Sequence, residues 1–327
     1  MSEFHVEVVK ISNIKKHPNA DSLSITLIHD GYPVIFRTGD FQLNDLAVYI
    51  PVDAYLPKED PQFSFLGGQQ RIKAKRLRGV FSMGLLVKSR PEWVEGQNVQ
   101  EELNIKKWEP PSFLKKKSHR GFSLTATENE TPPFLFPEYT DIEGLRKFSK
   151  VLEEGEEVII TEKIHGTNAR YLYKNERLWV GSRKFIKKEN LNNPWWIAAK
   201  EYNLEERLKQ YPGLIFYCEL YGKVQDLTYG EDGYKLLFFD IFNLSTHKYL
   251  DLEEFTKITS SLDLPTTPIL FQGPWGKELK QLSNGLSTIA KANHIREGFV
   301  VKPIKERWDA RLGRVVLKLV GEDYLLR

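Results

Sequence analysis

The sequence predicts an α+β protein in two parts, an all-β N-terminal part and a mixed C-terminal one, and three observations carry that prediction. Residues 1–90 hold about five short β-like runs, FHVEVVKI, LSITLIH, PVIFR, LAVYI and GLLVK, separated by turn signals at His17-Pro18-Asn19, Asp30-Gly31 and Gly67-Gly68. Residues 108–137 lose this pattern and contain five prolines, as a linker does. From about residue 138 the apolar runs GLIFYCEL, KLLFFDIF, GFVVKP and RVVLKLV read as strands with helical stretches between them.

Taken in order, the first five runs suit a small β-barrel of the OB type; a sandwich or an SH3-like barrel gives the same pattern. The predicted division is a β-domain over 1–107, a linker over 108–137 and a second domain over 138–327, in keeping with roughly 100–200 residues per domain. In the second domain Asn193 is placed as an N-cap and Pro194 as the first helical residue. Trp196, Ala199, Leu204, Leu208 and Tyr211 recur at near-helical spacing until Pro212-Gly213. Further helical stretches are expected near 251–262 and 277–293.

Composition narrows the class. A hydrophobic content of 41% with 28% charged residues fits a globular protein and argues against disorder. No apolar run approaches the ~20 residues of a membrane span, and the opening MSEFHVEVVK alternates without a signal-peptide core. The single cysteine, Cys218, excludes an intramolecular disulfide and a multi-cysteine zinc site, and predicts a reducing, cytoplasmic setting. Net charge is only +3, yet residues 71–90 carry seven Lys/Arg and no acid. Lys115, Lys116 and Lys117 with His119 and Arg120 form a second cluster. A charge run also describes a solvated face, but two clusters point to nucleic acid, with Lys73, Lys75, Arg76 and Arg78 as backbone contacts.

The chemistry centres on VIITEKIHGTNARYLY, residues 158–173, where Lys163 interrupts a buried-strand run and is followed by Ile164-His165-Gly166-Thr167-Asn168. Lys-x-His-Gly alone is a weak signal. It is followed in order by GSRK at 181–184, YCELYG at 217–222, LFFDIF at 237–242, EGFVVKP at 297–303 and VLKLV at 316–320. This ordered set resembles the covalent nucleotidyltransferase superfamily of polynucleotide ligases and RNA capping enzymes. The histidine followed by Gly-Thr-Asn resembles RNA ligases more than DNA ligases or capping enzymes, which more often carry Asp there. HPNADSLSI near the N-terminus resembles OB domains of the tRNA-binding kind. The order, OB domain first and transferase last, resembles one family of nick-sealing RNA ligases over nearly the whole chain, the linker excepted.

The resemblance implies a C-terminal nucleotidyltransferase domain, the ATP-grasp-like adenylation domain of ligases, built of antiparallel sheets with flanking helices. It implies that the Lys163 amine attacks the α-phosphorus of ATP, expels pyrophosphate and passes the AMP to an RNA 5′-phosphate. A free lysine of pKa about 10.4 is almost wholly protonated at neutral pH, so desolvation, nearby cations or a metal must lower it. Gly166 lets the backbone pass close to a phosphate. By resemblance Arg183 contacts the nucleotide or the incoming strand end, Glu219 the ribose hydroxyls and Glu162 the adenine amino group. Phe239 stacks on adenine, with Phe238 and Phe242 as alternatives.

By the same resemblance Glu297 engages a divalent cation, and Lys302 and Lys318 neutralise the α-phosphate and pyrophosphate. The last motif in related ligases often has two lysines one residue apart; LKLV offers only Lys318, leaving Lys302 as the second charge. His165 and Asn168 are implied to bind the nucleic acid in the later steps, near the ends of the RNA strands. The implied cofactors are ATP and Mg²⁺ or Mn²⁺, the metal held largely by water and phosphates. The implied partner is RNA. A capping guanylyltransferase, a DNA ligase and a non-catalytic RNA-binding OB protein are the alternatives.

Overall fold

The computed structural model describes residues 4–108 and 128–327, so the Lys115–Lys117 cluster with His119 and Arg120, and most of the proline-rich segment, lie outside the described residues. The chain divides into two compact units. One comprises Met1–Pro110, Glu143–Lys150 and Glu322–Arg327; the other comprises Pro111–Ile142 and Val151–Gly321.

In the first unit the main strands are β1 (Glu7–Lys10), β2 (Lys15–Lys16), β3 (Leu23–Ile28), β4 (Tyr32–Arg37), β5 (Leu46–Ile50), β6 (Lys75–Leu77), β7 (Val80–Ser82) and β8 (Leu85–Lys88). They form the ladders β1-β5-β8, β2-β3-β4 and β6-β7 rather than one continuously bonded closed barrel. Successive side chains of a strand point to opposite faces. Val8, Val48 and Ile50 accordingly enter one apolar cluster, while Val9, Ala47 and Tyr49 enter another. Burial of both faces is what an OB-type core requires of its central strands, and it explains why VVKI and LAVYI read as continuous apolar runs.

The second unit holds two antiparallel sheets. One runs β12-β11-β10-β13-β14, from Ile186–Lys187, Arg177–Ser182, Thr167–Lys174, Leu214–Gly222 and Tyr234–Asn243; the other runs β17-β16-β9-β15, from Leu317–Val320, Gly298–Pro303, Glu157–Glu162 and Ile269–Pro274. The helix expected over 194–211 is broken in two, α1 (Pro194–Glu201) and α2 (Leu204–Leu208), because Asn203 takes a left-handed φ of 48°. Asn193 caps α1 as expected, its side chain accepting from the Trp195 N–H. The periodic apolar residues Trp196, Ala199, Leu204 and Leu208 still reach one core. Helix α3 (Leu252–Ser261) matches expectation. Over 277–293 only a 3₁₀ turn, Lys277–Ser283, forms. Asn284 and Gly285, the latter at φ 115°, end it.

Strands β9 and β10 are consecutive but belong to different sheets, so Lys163–Gly166 is the crossing between them. Lys163 donates its backbone N–H to the Gly298 carbonyl at 3.0 Å. The antiparallel pairing Glu162↔Phe299 therefore brings the end of β9 to the start of β16, where Glu297 stands.

Candidate active site

Strand ends from two sheets and one crossing turn assemble the site. The Lys163 ammonium lies 2.8 Å from Glu297 Oε1, with the side chains 25% and 13% exposed. On β13, Cys218 and Leu220 enter the core, which turns the half-buried Glu219 to the opposite face. Burial, with some help from Glu297, pushes the Glu219 carboxyl up to about 8, against the pull of Lys163, the Gly166 N–H and Arg183. For Lys163 burial disfavours the charge, but the carboxylates of Glu297 and Glu219 outweigh it and the pKa rises. The neutral amine that attack needs calls for a lowered pKa. The desolvation that would lower it is present, and the acidic neighbours, Glu297 foremost, more than cancel it.

His165 is held from two sides. Its Nε2 lies 2.8 Å from Asp226 Oδ1 and its Nδ1 lies 3.9 Å from Glu297 Oε2. Its backbone N–H donates to the Tyr229 hydroxyl at 2.7 Å, and Gln225 Nε2 donates to the Gly166 carbonyl at 3.2 Å. Gln225, Asp226 and Tyr229 were not anticipated; the only signal available was a polar Gln-Asp step just after the YCELYG strand. Gly166 is required for a reason besides phosphate approach. A Cβ there would lie 2.4 Å from the Leu220 carbonyl oxygen, where β10 closes on β13.

Two oxygens in the site are buried without a hydrogen-bond partner, Glu297 Oε2 and Asn168 Oδ1. Unsatisfied buried acceptors in a native site call for an ion, a water or a ligand group. Among the described residues no cluster of three or more His, Cys, Asp or Glu could hold a metal by itself. That donor set fits a hydrated Mg²⁺ or Mn²⁺ touching one carboxylate, and does not fit a metal caged by protein.

Other anticipated residues stand differently. Glu162 is 1% exposed. Its Oε1 accepts from the Ser287 hydroxyl at 2.5 Å, and its Oε2 accepts from the Thr288 N–H and hydroxyl at 2.7 Å each. The carboxylate expected at the adenine amino group is thus bonded to the 287–288 loop. Phe238 is fully buried in the main core. Phe239 lies on the other face, half-buried, its ring 4.9 Å from that of Tyr139, and Phe242 packs on Tyr249 at 5.0 Å.

Lys302 is only 8% exposed and its Nζ donates to Asp240 Oδ1 at 2.8 Å. Asp240 Oδ2 also accepts from the Tyr139 hydroxyl at 2.6 Å and from Arg314 at 2.7 Å. Burial alone would raise the Asp240 carboxyl, but Arg314 and Lys302 hold it below its ordinary range. Lys302 is therefore bonded into a buried charge cluster. Lys318 remains on the site side: it pairs with Val300, which pairs with Thr161, two residues before Lys163, and all three are half-buried. Arg183 sits at the β11–β12 tip, bonded to Asp141, and acts on Glu219 electrostatically.

In the first unit Lys75 bonds Gln69 at 3.0 Å, and Arg76 faces Glu322 and Asp323 at 3.5 and 3.4 Å. Lys73 and Arg78 are exposed.

The model of a family described as RNA ligase matches residues 156–320, half of the chain, and a model of an OB-fold domain matches residues 5–89. No curated protein matches the sequence. Among solved structures the chain is similar to Naegleria gruberi RNA ligase in several states. One variant with ATP and Mn gives a TM-score of 0.81 at 24% identity, over 99% of this chain and 98% of that one. A variant with AMP and Mn gives 0.81 at 23% over the same shares, and the ligase with PPi gives 0.80 at 23%, again over 99% and 98%. At this identity the likeness establishes a shared fold over nearly the full length.

Proposed function

The chain belongs to the RNA ligase family, and we propose that it seals 5′-phosphate/3′-OH nicks in RNA through an adenylate carried on Lys163. The observation that carries this reading is the half-buried Lys163 ammonium, 2.8 Å from Glu297 and flanked by Glu219, at the crossing between two sheets. The Lys163 nitrogen bonds to the α-phosphorus of ATP, the bond to the β-phosphate oxygen breaks, pyrophosphate leaves and the amine gives up its proton. The AMP then moves to an RNA 5′-phosphate oxygen, and the 3′-OH displaces it as the phosphodiester forms.

Before attack the lysine must be neutral. Separation from Glu297 alone would lower its pKa, since burial would then be opposed by Glu219 without its main partner. Bound Mg²⁺ or Mn²⁺ supplies neutralisation of the phosphate charge, and Glu297, through its unpartnered Oε2, is the residue that would face it. In this reading Glu219 accepts from the ribose, Phe239 meets the base, and Lys318 and Arg183 stabilise phosphate charge. His165 and Asn168 serve the later steps. Lys73, Lys75, Arg76 and Arg78 serve the RNA backbone. The buried free thiol of Cys218 suits the reducing cytosol.

The test is sealing of singly nicked duplexes with RNA or DNA on the 3′-OH side, with ATP or GTP and either metal. Joining that depends on ATP and on an RNA 3′-OH is expected. Dependence on GTP would favour capping chemistry, equal use of DNA a DNA ligase, and no joining of any nick would refute the proposal.

A further inference from the structure

The HPNADSLSI segment has no place in the adenylation site, yet it is built into the basic hairpin of its own unit. His17 is 1% exposed. Its Nδ1 accepts from the Asn19 backbone N–H at 3.0 Å, and its Nε2 meets the Leu77 carbonyl at 3.1 Å. A backbone N–H can only donate and a carbonyl can only accept, so the ring is the tautomer protonated at Nε2. Asn19 Nδ2 donates to the next carbonyl, that of Arg78, at 2.9 Å. Two consecutive carbonyls at the β6–β7 tip are thus pinned by one turn some sixty residues earlier in the chain.

What is pinned is unusual. Arg78 and Gly79, with φ of 43° and 86°, are the two central residues of the hairpin turn, and both are left-handed. Turns of that kind take Asn, Asp or Gly at the first position, because a residue with a longer side chain is strained there. Strain of this sort persists where the surroundings over-determine it, and it marks positions kept for function. An arginine here projects from the end of the hairpin. Arg76 and Lys75 have partners within the unit, whereas Arg78 makes no ion pair with any described residue and is exposed.

We propose that the His17-Pro18-Asn19 turn is a clamp that presents Arg78 to the phosphate backbone of RNA, which makes His17 and Asn19 positioning residues for the RNA grip. The inference rests on the reading of this hairpin as an RNA surface. An arginine fixed at the tip of a two-residue turn fits a phosphate, and the exposed Lys73, five residues earlier in the chain, carries charge of the same sign.

The experiment is binding of the full chain to a nicked RNA duplex over a range of salt concentrations. Arg78→Ala should reduce the slope of log K against log salt by about one, as for the loss of one phosphate contact. Asn19→Ala removes no charge and changes an exposed side chain; it should nevertheless reduce the slope as Arg78→Ala does, while thermal stability and self-adenylation stay at wild-type values. The double variant should be no worse than Arg78→Ala. A wild-type slope in Asn19→Ala, alongside a reduced one in Arg78→Ala, overturns the clamp alone, as does an additive loss in the double variant. An unchanged slope in Arg78→Ala overturns the RNA reading of the hairpin and the clamp with it.

Discussion

At the scale of single residues, the site stores its charge in an arrangement that must be undone before the chemistry. Lys163 is held as an ammonium chiefly by Glu297, and Glu219, pushed up to about 8, keeps a proton that a free glutamate would lose. Between the ordinary glutamate range and about pH 8 the folded chain therefore binds a proton that the unfolded chain has released, and stability falls as pH rises through that window. Glu219→Gln should remove this dependence. The variant is expected to be more stable than wild type by about 1–3 kcal/mol at pH 9 and to lose that advantage near pH 4. Thermal melts at the two pH values check it, and an equal difference at both would contradict the assignment. The sequence marked Lys163, Glu219 and Glu297 through their motifs. Their mutual charge balance was not legible there, because it depends on strand ends far apart in the chain meeting at one turn.

At the scale of elements, glycine and a buried charge cluster do the positioning. Gly166 allows β10 to close on β13, and a Cβ would strike the Leu220 carbonyl at 2.4 Å. Gly166→Ala must shift the crossing turn, so self-adenylation should fall by at least tenfold, with little change in the far-ultraviolet circular dichroism; wild-type labelling rates would show that the turn tolerates the shift. The Asp240 cluster ties β14 to β16 through Lys302 and to the chain at Arg314. Asp240→Asn leaves two buried cations short of a carboxylate, and urea unfolding should show a loss of about 3–5 kcal/mol. A loss below about 1 kcal/mol would mean that Glu306 compensates alone.

The strands carrying these groups were readable from their apolar runs. The role of Lys302 was not, since a lysine in GFVVKP looks the same whether it faces a phosphate or a buried aspartate from another sheet. The helix over 194–211 was readable in its cap and in its core face, but not in its break at Asn203, where a left-handed residue costs little for asparagine.

At the scale of the whole molecule, the order of an OB-type part followed by an adenylation part was legible in the shift from short strands to mixed elements. Family models match in the same order. Less legible was that Glu143–Lys150 and Glu322–Arg327 belong to the first unit, since membership of short segments is set by tertiary contacts and leaves no local pattern. Among the described residues no helix is long and apolar enough to cross a membrane.

The central claim is a covalent adenylate on Lys163. It is tested most directly by incubating the protein with α-phosphate-labelled ATP and Mg²⁺ or Mn²⁺, denaturing it and measuring label on the polypeptide beside Lys163→Ala. Label on the wild type, none on the variant and none from labelled GTP is the predicted result. Absence of label from the folded wild-type chain with either metal, or label that persists in Lys163→Ala, would contradict it.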